Sequence, residues 1–263
     1  MQIDKISCSQ LLDEFGIVPS KDKGQNYLIN PATAKRIAES LDIEESDKVL
    51  EIGPGLGSLT HFIDEKHDNL SLVEIDEKSC QLLKSVYPNI HVHNADALKF
   101  DLTSYDKIIS NIPYSITSDL LEYVLLNDPK LKQAVFMVQE DAYKRIVSLK
   151  GKDYGPLSIL MHLKADIKPL FKVSPNDFTP RPKCVSIVFS VDITNKHNVT
   201  KMEYRAIKTL FTNRRKTLLN NLTLLTSKEK AEIMLKRLNL SIKIRPEELS
   251  PETYVKLVSL YLE

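Results

Sequence analysis

Val49-Leu50-Glu51-Ile52-Gly53-Pro54-Gly55-Leu56-Gly57 joins a strand-like run to a glycine-rich turn. The chain holds seven glycines, and three of them occupy the last five positions of that stretch. The pattern reads as a strand that ends in a tight turn and opens a helix. With no Cβ, the turn's N–H groups can come close to a ligand. Further on, Lys107-Ile108-Ile109-Ser110 leads in the same way into Asn111-Ile112-Pro113-Tyr114. A side-chain amide, an X-Pro backbone and an aromatic ring suit the grip on a flat heterocycle bearing an exocyclic amine. A nucleotide-type turn beside an amine-reading tetrapeptide implies methyl transfer to an amino group.

Working outward, strand-like runs at 48–52, 70–75, 90–93, 107–109 and 134–138 alternate with helical stretches at 32–41, 59–65 and 79–86. That alternation predicts βαβ units and a mainly parallel sheet, so the fold class is α/β. Two more apolar runs, 157–163 and 184–191, read as late strands or as a helix and a strand. Between them, 169–182 is so punctuated by proline that no regular structure is expected. After residue 192 the pattern turns helical at 201–210, 214–222, 228–238 and 251–260. The expected division is an α/β domain over 1–191 and a small helical domain over 192–263.

Length and composition agree with one large domain and an appendage: 263 residues, 42% apolar and 27% charged, which excludes disordered and fibrous classes. Cys8, Cys80 and Cys184 lie far apart, and the six histidines have no paired spacing, so neither disulfide nor metal is expected. A reduced, cytoplasmic chain is the simplest account. No run approaches membrane-spanning length, and no signal-like segment opens the chain. The net charge of +1 hides an uneven distribution: residues 191–245 carry thirteen Lys and Arg against four Asp and Glu. Arg214-Arg215-Lys216 is the densest knot, suited to phosphate contacts, although an ordinary solvated helix face has the same look.

The cofactor class follows from three strand ends. The dinucleotide pattern G-x-G-x-x-G is not met, because Ser58 stands where its last glycine belongs. Glu74, ending the next strand-like run, can accept from both hydroxyls of a ribose, with Asp76 as its rival. Asp96, after the following run, can accept from an adenine amine. Each acid alone could be a merely solvated carboxylate. Together with the glycine turn, in consecutive βα turns, they imply an adenosine-bearing cofactor, and S-adenosylmethionine fits better than NAD.

With these residues in place, the chain resembles the ribosomal RNA adenine dimethyltransferase family, in particular its small-subunit dimethyladenosine transferases. The likeness runs through Gly24-Gln25-Asn26-Tyr27-Leu28, the glycine turn, Val73-Glu74-Ile75-Asp76, Asn94-Ala95-Asp96-Ala97 and Asn111-Ile112-Pro113-Tyr114. It continues in Phe136-Met137-Val138-Gln139-Glu140, Tyr154-Gly155-Pro156-Leu157-Ser158, Phe178-Thr179-Pro180-Arg181-Pro182 and Leu210-Phe211-Thr212-Asn213-Arg214-Arg215-Lys216. Tyr27 stands where the family usually has Phe, and Asn111 opens a motif that begins with Asp in many other amino-methyltransferases.

The resemblance implies a Rossmann-like S-adenosyl-L-methionine-dependent methyltransferase domain with a small C-terminal helical domain. Asn26, Leu28, Gly53, Glu74, Asp96 and Asn111 are the implied cofactor contacts; Gln25 has a polar role open to it or is a helix-capping amide. Asn111, Ile112, Pro113 and Tyr114 are the implied catalytic set, with Phe178 as a candidate second aromatic wall around the base. Arg214, Arg215 and Lys216 are the implied RNA contacts; Lys144 and Arg145 are weaker ones. The implied activity is N6,N6-dimethylation of two adjacent adenosines in a hairpin loop near the 3′ end of small-subunit rRNA, on an immature small subunit, by a monomer. The alternatives are a large-subunit rRNA adenine methyltransferase of the macrolide-resistance type and a silent RNA-binding assembly factor on the same fold.

Overall fold

In a computed structural model of the protein the described residues are 12–19, 25–64, 67–127, 130–194 and 196–263; Cys8, Gly24 and Glu65 lie outside them. The chain divides into two units, Met1–Ala142 with Ile167–Ile193, and Tyr143–Asp166 with Thr194–Glu263.

The described strands are β1 (Tyr27–Leu28), β2 (Val49–Ile52), β3 (Leu70–Glu74), β4 (His91–Asn94), β5 (Lys107–Asn111), β6 (Gln133–Gln139), β7 (Ala165–Val173), β8 (Phe178–Thr179) and β9 (Ser186–Ile193). Seven of them form one sheet in the order β4-β3-β2-β5-β6-β9-β7, and β1 pairs with β8. β2 to β6 run parallel to their neighbours, while β9 returns antiparallel along β6. Val49, Leu50, Leu72, Ile108, Ile109, Val135 and Phe136 are at most 1% exposed, so the central strands are covered on both faces. A parallel sheet needs that burial, and its strands read as apolar runs for the same reason.

Helices fill the connections. Asn30 caps Pro31–Ala38, accepting from the N–H groups of Ala32 and Thr33, and Pro31 opens the first turn. Ala34, Ile37 and Ala38 form the face that this helix buries. Asp76 caps Glu77–Val86 by accepting from Ser79 N–H. The architecture is therefore a doubly wound, Rossmann-like α/β sheet. Strand order reverses between β2 and β5: β2 leads on to β3 on one side, while β4 leads back to β5 on the other. Ligands of open parallel sheets bind beyond the strand ends at such a reversal.

One expectation for the late part of the sequence changes, and one open alternative is decided as a helix and a strand. Within 169–182, residues up to Val173 belong to β7, which includes Pro169. β7 is the last strand of the sheet, and an edge position tolerates a residue without an N–H to give. The run at 184–191 becomes β9, whereas 157–163 becomes the helix Pro156–Lys164.

The second unit is helical, with Lys201–Leu210, Leu218–Leu222, Lys228–Arg237 and Pro251–Leu262. Thr200, Thr217, Ser227 and Ser250 each accept an N–H of the first turn that follows. Tyr143–Asp166, placed with the first domain by the sequence division at 191/192, belongs here. Buried Tyr154 sets its ring edge-on to Phe211 at 6.1 Å, and Phe211 lies 5.6 Å from Tyr254. Pro156–Lys164 packs against Pro251–Leu262 and Lys201–Leu210. Arg214–Lys216 also differs from expectation: the three cations precede the cap Thr217, so they sit in a turn and not on the helix.

Candidate active site

The turn after β2 and the ends of β3, β4 and β5 surround a cavity of about 350 Å³, a size ordinary for a small-molecule site. It is lined by Gln25, Asn26, Leu28, Gly53, Glu74, Asp96, Asn111, Ile112, Pro113 and Tyr114, so ten residues singled out in the sequence converge on it. Gly53 has φ +66°, and a Cβ there would meet nothing within 4 Å, so its open side is free for a ligand. At Gly55, φ +58°, a Cβ would stand 3.0 Å from the Tyr27 ring; glycine lets that ring rest on the turn.

Glu74 is 6% exposed and held from both sides: Gly55 N–H donates to Oε2 at 3.1 Å and Asp76 N–H to Oε1 at 2.9 Å. The two bonds fix the carboxylate and leave lone pairs for a pair of hydroxyls. Burial raises its pKa, against the pull of those N–H groups. Its sequence rival Asp76 is occupied as a helix cap and does not line the cavity. Asp96 accepts from Leu98 N–H at 3.0 Å and pairs with Lys99 at 3.5 Å.

Asn111 ends β5 and turns its Nδ2 toward the Asn26 carbonyl at 3.4 Å. That contact assigns the amide's two ends and leaves Oδ1 to accept from an incoming amine. Ile112 N–H donates to the Met137 carbonyl at 3.1 Å, and Pro113 has φ −57°, so the backbone beside Asn111 is fixed on both sides. Tyr114 is partly exposed, and burial raises the pKa of its hydroxyl, against the opposing pull of Ser186 and Gln139. Those two residues face each other across the β6–β9 pair.

Phe178 does not stand on the cavity wall. It is 4% exposed, belongs to the core with Tyr27 and Leu28, and pairs with Leu28 across β1–β8. Its apolar bulk is buried in that core, beside Tyr27 and Leu28, which do line the cavity. Gln25 lines the cavity, while Asn30 does the helix capping.

Several lining residues escaped the sequence reading, Glu51 and Ile75 among them. Glu51 is 2% exposed, accepts from Thr60 Oγ1 at 2.7 Å, and has its pKa pushed up to about 8, by burial first and then by Glu74. The signal was an acid inside an apolar strand directly before the glycines. Ile75, 63% exposed, offers an apolar face beside Glu74.

The donor set fits an adenosyl cofactor: two fixed acids for hydroxyls and an amine, a glycine turn open on its ligand side, and mainly apolar walls. Among the described residues no group of three His, Cys, Asp or Glu is placed to hold a metal ion, and no helix is long and apolar enough to cross a membrane.

In the second unit, Arg215 and Lys216 are exposed, while Arg214 Nη2 donates to the Gly151 carbonyl at 2.6 Å. Their turn is braced by Asn221, fully buried, whose Oδ1 accepts from Asn213 N–H at 2.9 Å and whose Nδ2 donates to the carbonyls of Asn213 and Thr217.

A family model described as ribosomal RNA adenine dimethylase matches residues 20–263. The ribosomal RNA small subunit methyltransferase A of Malacoplasma penetrans is 37% identical over 247 residues, spanning 90% of each chain. Among solved structures, a dimethyladenosine transferase from Plasmodium falciparum superposes with a TM-score of 0.77 at 25% identity, over 88% of this chain and 95% of that one. The 23S rRNA methyltransferase ErmE superposes with a TM-score of 0.65 at 23% identity, over 90% of this chain and all of that one, a likeness of fold alone.

Proposed function

The chain belongs to the ribosomal RNA adenine dimethylase family, and from that premise we propose that it dimethylates adenosine N6 in small-subunit ribosomal RNA, with S-adenosylmethionine as methyl source. The finer reading is two adjacent adenosines in a hairpin loop near the 3′ end, modified by a cytoplasmic monomer on an immature small subunit.

The observation that carries the reading is the half-engaged amide of Asn111 at the reversal between β2 and β5. An adenine N6 is a weak nucleophile, because its lone pair is delocalised into the ring. When Asn111 Oδ1 and the Ile112 carbonyl each accept one N6 hydrogen, the nitrogen becomes more tetrahedral and its lone pair is freed. Tyr114 supplies a face on which the extruded base stacks, worth about 1–3 kcal/mol. Bound in the cavity, the cofactor supplies an electrophilic methyl on its sulfonium. Glu74 would hold its ribose, Asp96 its adenine amine, and Asn26, Leu28 and Gly53 its methionine end. The methylated nitrogen loses a proton to water, so positioning by these residues supplies most of the acceleration. Arg214, Arg215 and Lys216 would hold the RNA through its phosphates, as a charge-based and sequence-independent grip.

No observation favours the large-subunit reading; likeness to the solved 23S enzyme is limited to the fold. The deciding test incubates the purified chain and S-adenosylmethionine with small subunits lacking N6-dimethyladenosine, then maps the product by mass spectrometry of nuclease fragments. Two adjacent dimethyladenosines near the 3′ end are expected. Methylation confined to large-subunit RNA, or none on either, would overturn the proposal.

A further inference from the structure

The wall of the cavity formed by Gln25–Leu28 is the part least explained by the sheet. It does not belong to the seven-stranded sheet, and β1 contributes only two residues. What holds it comes from far along the chain. Tyr27 and Leu28 pair with Thr179 and Phe178, and Ile29 N–H donates to the Asp177 carbonyl at 2.8 Å. The Asp177 carboxylate then takes one bond on each oxygen: Asn30 Nδ2 donates to Oδ1 at 2.9 Å and Thr33 Oγ1 to Oδ2 at 2.9 Å. Asn30 spends its own oxygen on capping the helix, so its amide ties the helix start to Asp177 while the carbonyl side stays local. On the cavity side the same segment is held by Ser58 Oγ, which donates to the Leu28 carbonyl at 2.6 Å, and by Asn111 Nδ2 at Asn26.

We infer that Asp177 is a positioning residue for the cofactor: its two-oxygen clip on Asn30 and Thr33 holds the Asn26–Leu28 wall in binding geometry. Asp177 does not itself line the cavity, so it acts only through that wall. The inference rests on the reading of the cavity as a cofactor site. A wall held in place beforehand does not have to be ordered by the ligand, and this preorganisation shows as affinity.

Calorimetric titration with S-adenosylhomocysteine tests it on the full chain. Asp177→Ala should bind about tenfold more weakly than wild type, in keeping with the loss of charge-assisted bonds. Asp177→Asn, which keeps one acceptor, should fall between. Hydrogen exchange of the Tyr27–Ile29 amides should speed up in ligand-free Asp177→Ala and return toward wild-type protection when S-adenosylhomocysteine saturates it. A merely structural role would lower the melting temperature without that ligand-dependent recovery. If Asp177→Ala folds too poorly to titrate, Thr33→Val decides, since it removes one of the two donors; weaker binding supports the inference. Wild-type affinity in a folded Asp177→Ala or, failing that, in Thr33→Val overturns it, even where exchange has changed. A wild-type chain that does not bind S-adenosylhomocysteine overturns the cofactor reading itself.

Discussion

Two asparagine amides, one in each unit, are placed to opposite effect. Asn221 is fully buried and spends its oxygen and its nitrogen on the backbone of the turn that carries Arg214-Arg215-Lys216. Asn111 is only partly buried, and its contact to Asn26 engages the nitrogen alone. A saturated amide is a brace: it fixes a turn so that cations beside it can face solvent. A half-engaged amide at a cavity is a tool, with its orientation set and one group kept for a ligand. The comparison also separates how the two regions act. On the proposed function, the cavity would work by geometry fixed to a few ångströms and the basic turn by charge, which tolerates looser placement and is screened by salt.

The largest effect is expected at the tool. Asn111→Ala should cut turnover at least about a hundredfold, near 2.7 kcal/mol of barrier, in single-turnover assays on small subunits. Its melting temperature should hardly move; a large drop there would erase the distinction drawn above. Next, Glu74→Ala should weaken calorimetric cofactor affinity by about 1.5–3 kcal/mol, the range for losing bonds to a charged group. Wild-type affinity in both Glu74→Ala and Asp96→Ala would remove the cofactor assignment.

The brace should behave in reverse. Asn221→Ala leaves buried backbone groups without partners and should lose about 1–3 kcal/mol of stability, seen as a fall of about 2–4 °C per kcal/mol. Cofactor affinity should stay unchanged. Neutralising Arg214, Arg215 and Lys216 should leave cofactor binding unaltered, although it removes the Arg214 bond to the Gly151 carbonyl. It should flatten the salt dependence of subunit binding by about 0.7–0.9 for each phosphate that the variant no longer neutralises. An unaltered slope would make the turn structural.

The last effect concerns Glu51. Its pKa of about 8 in the fold lies above the ordinary 4.5, so the folded chain keeps a proton that the unfolded chain releases. That stabilising contribution is complete below the unfolded value and is lost as pH rises through about 8. Glu51→Gln removes the dependence, so its melting temperature should gain on wild type between about pH 6 and about pH 9. Parallel curves for the two proteins would place the titration elsewhere.

Local signals made much of this molecule readable. The β2 glycine turn, the acids at successive strand ends and Asn111 all declare themselves through near neighbours, because strand, turn and acid lie within a few residues of each other. Helix caps such as Thr200 and Ser227 are equally local. What stayed hidden depends on partners distant in sequence. Pro169 argues against a strand until β7 proves to be an edge, and Tyr154 packs into the helical unit against Phe211, 57 residues further on. Phe178 reads as a ring available for stacking until its pairing with Leu28 buries it. Asp177 has no sequence signal at all, since its two donors lie 147 and 144 residues upstream.

That long reach has a consequence for how the protein comes into being during translation. Every residue lining the cavity precedes Thr117, yet the partners of the Tyr27–Leu28 wall are Phe178 and Thr179. A nascent chain that has just emerged through β6 therefore owns the glycine turn, both acids and Asn111, and still lacks the strand that holds one side of them. The wall of the cavity is therefore complete only once Phe178 and Thr179 have been made and have paired with it.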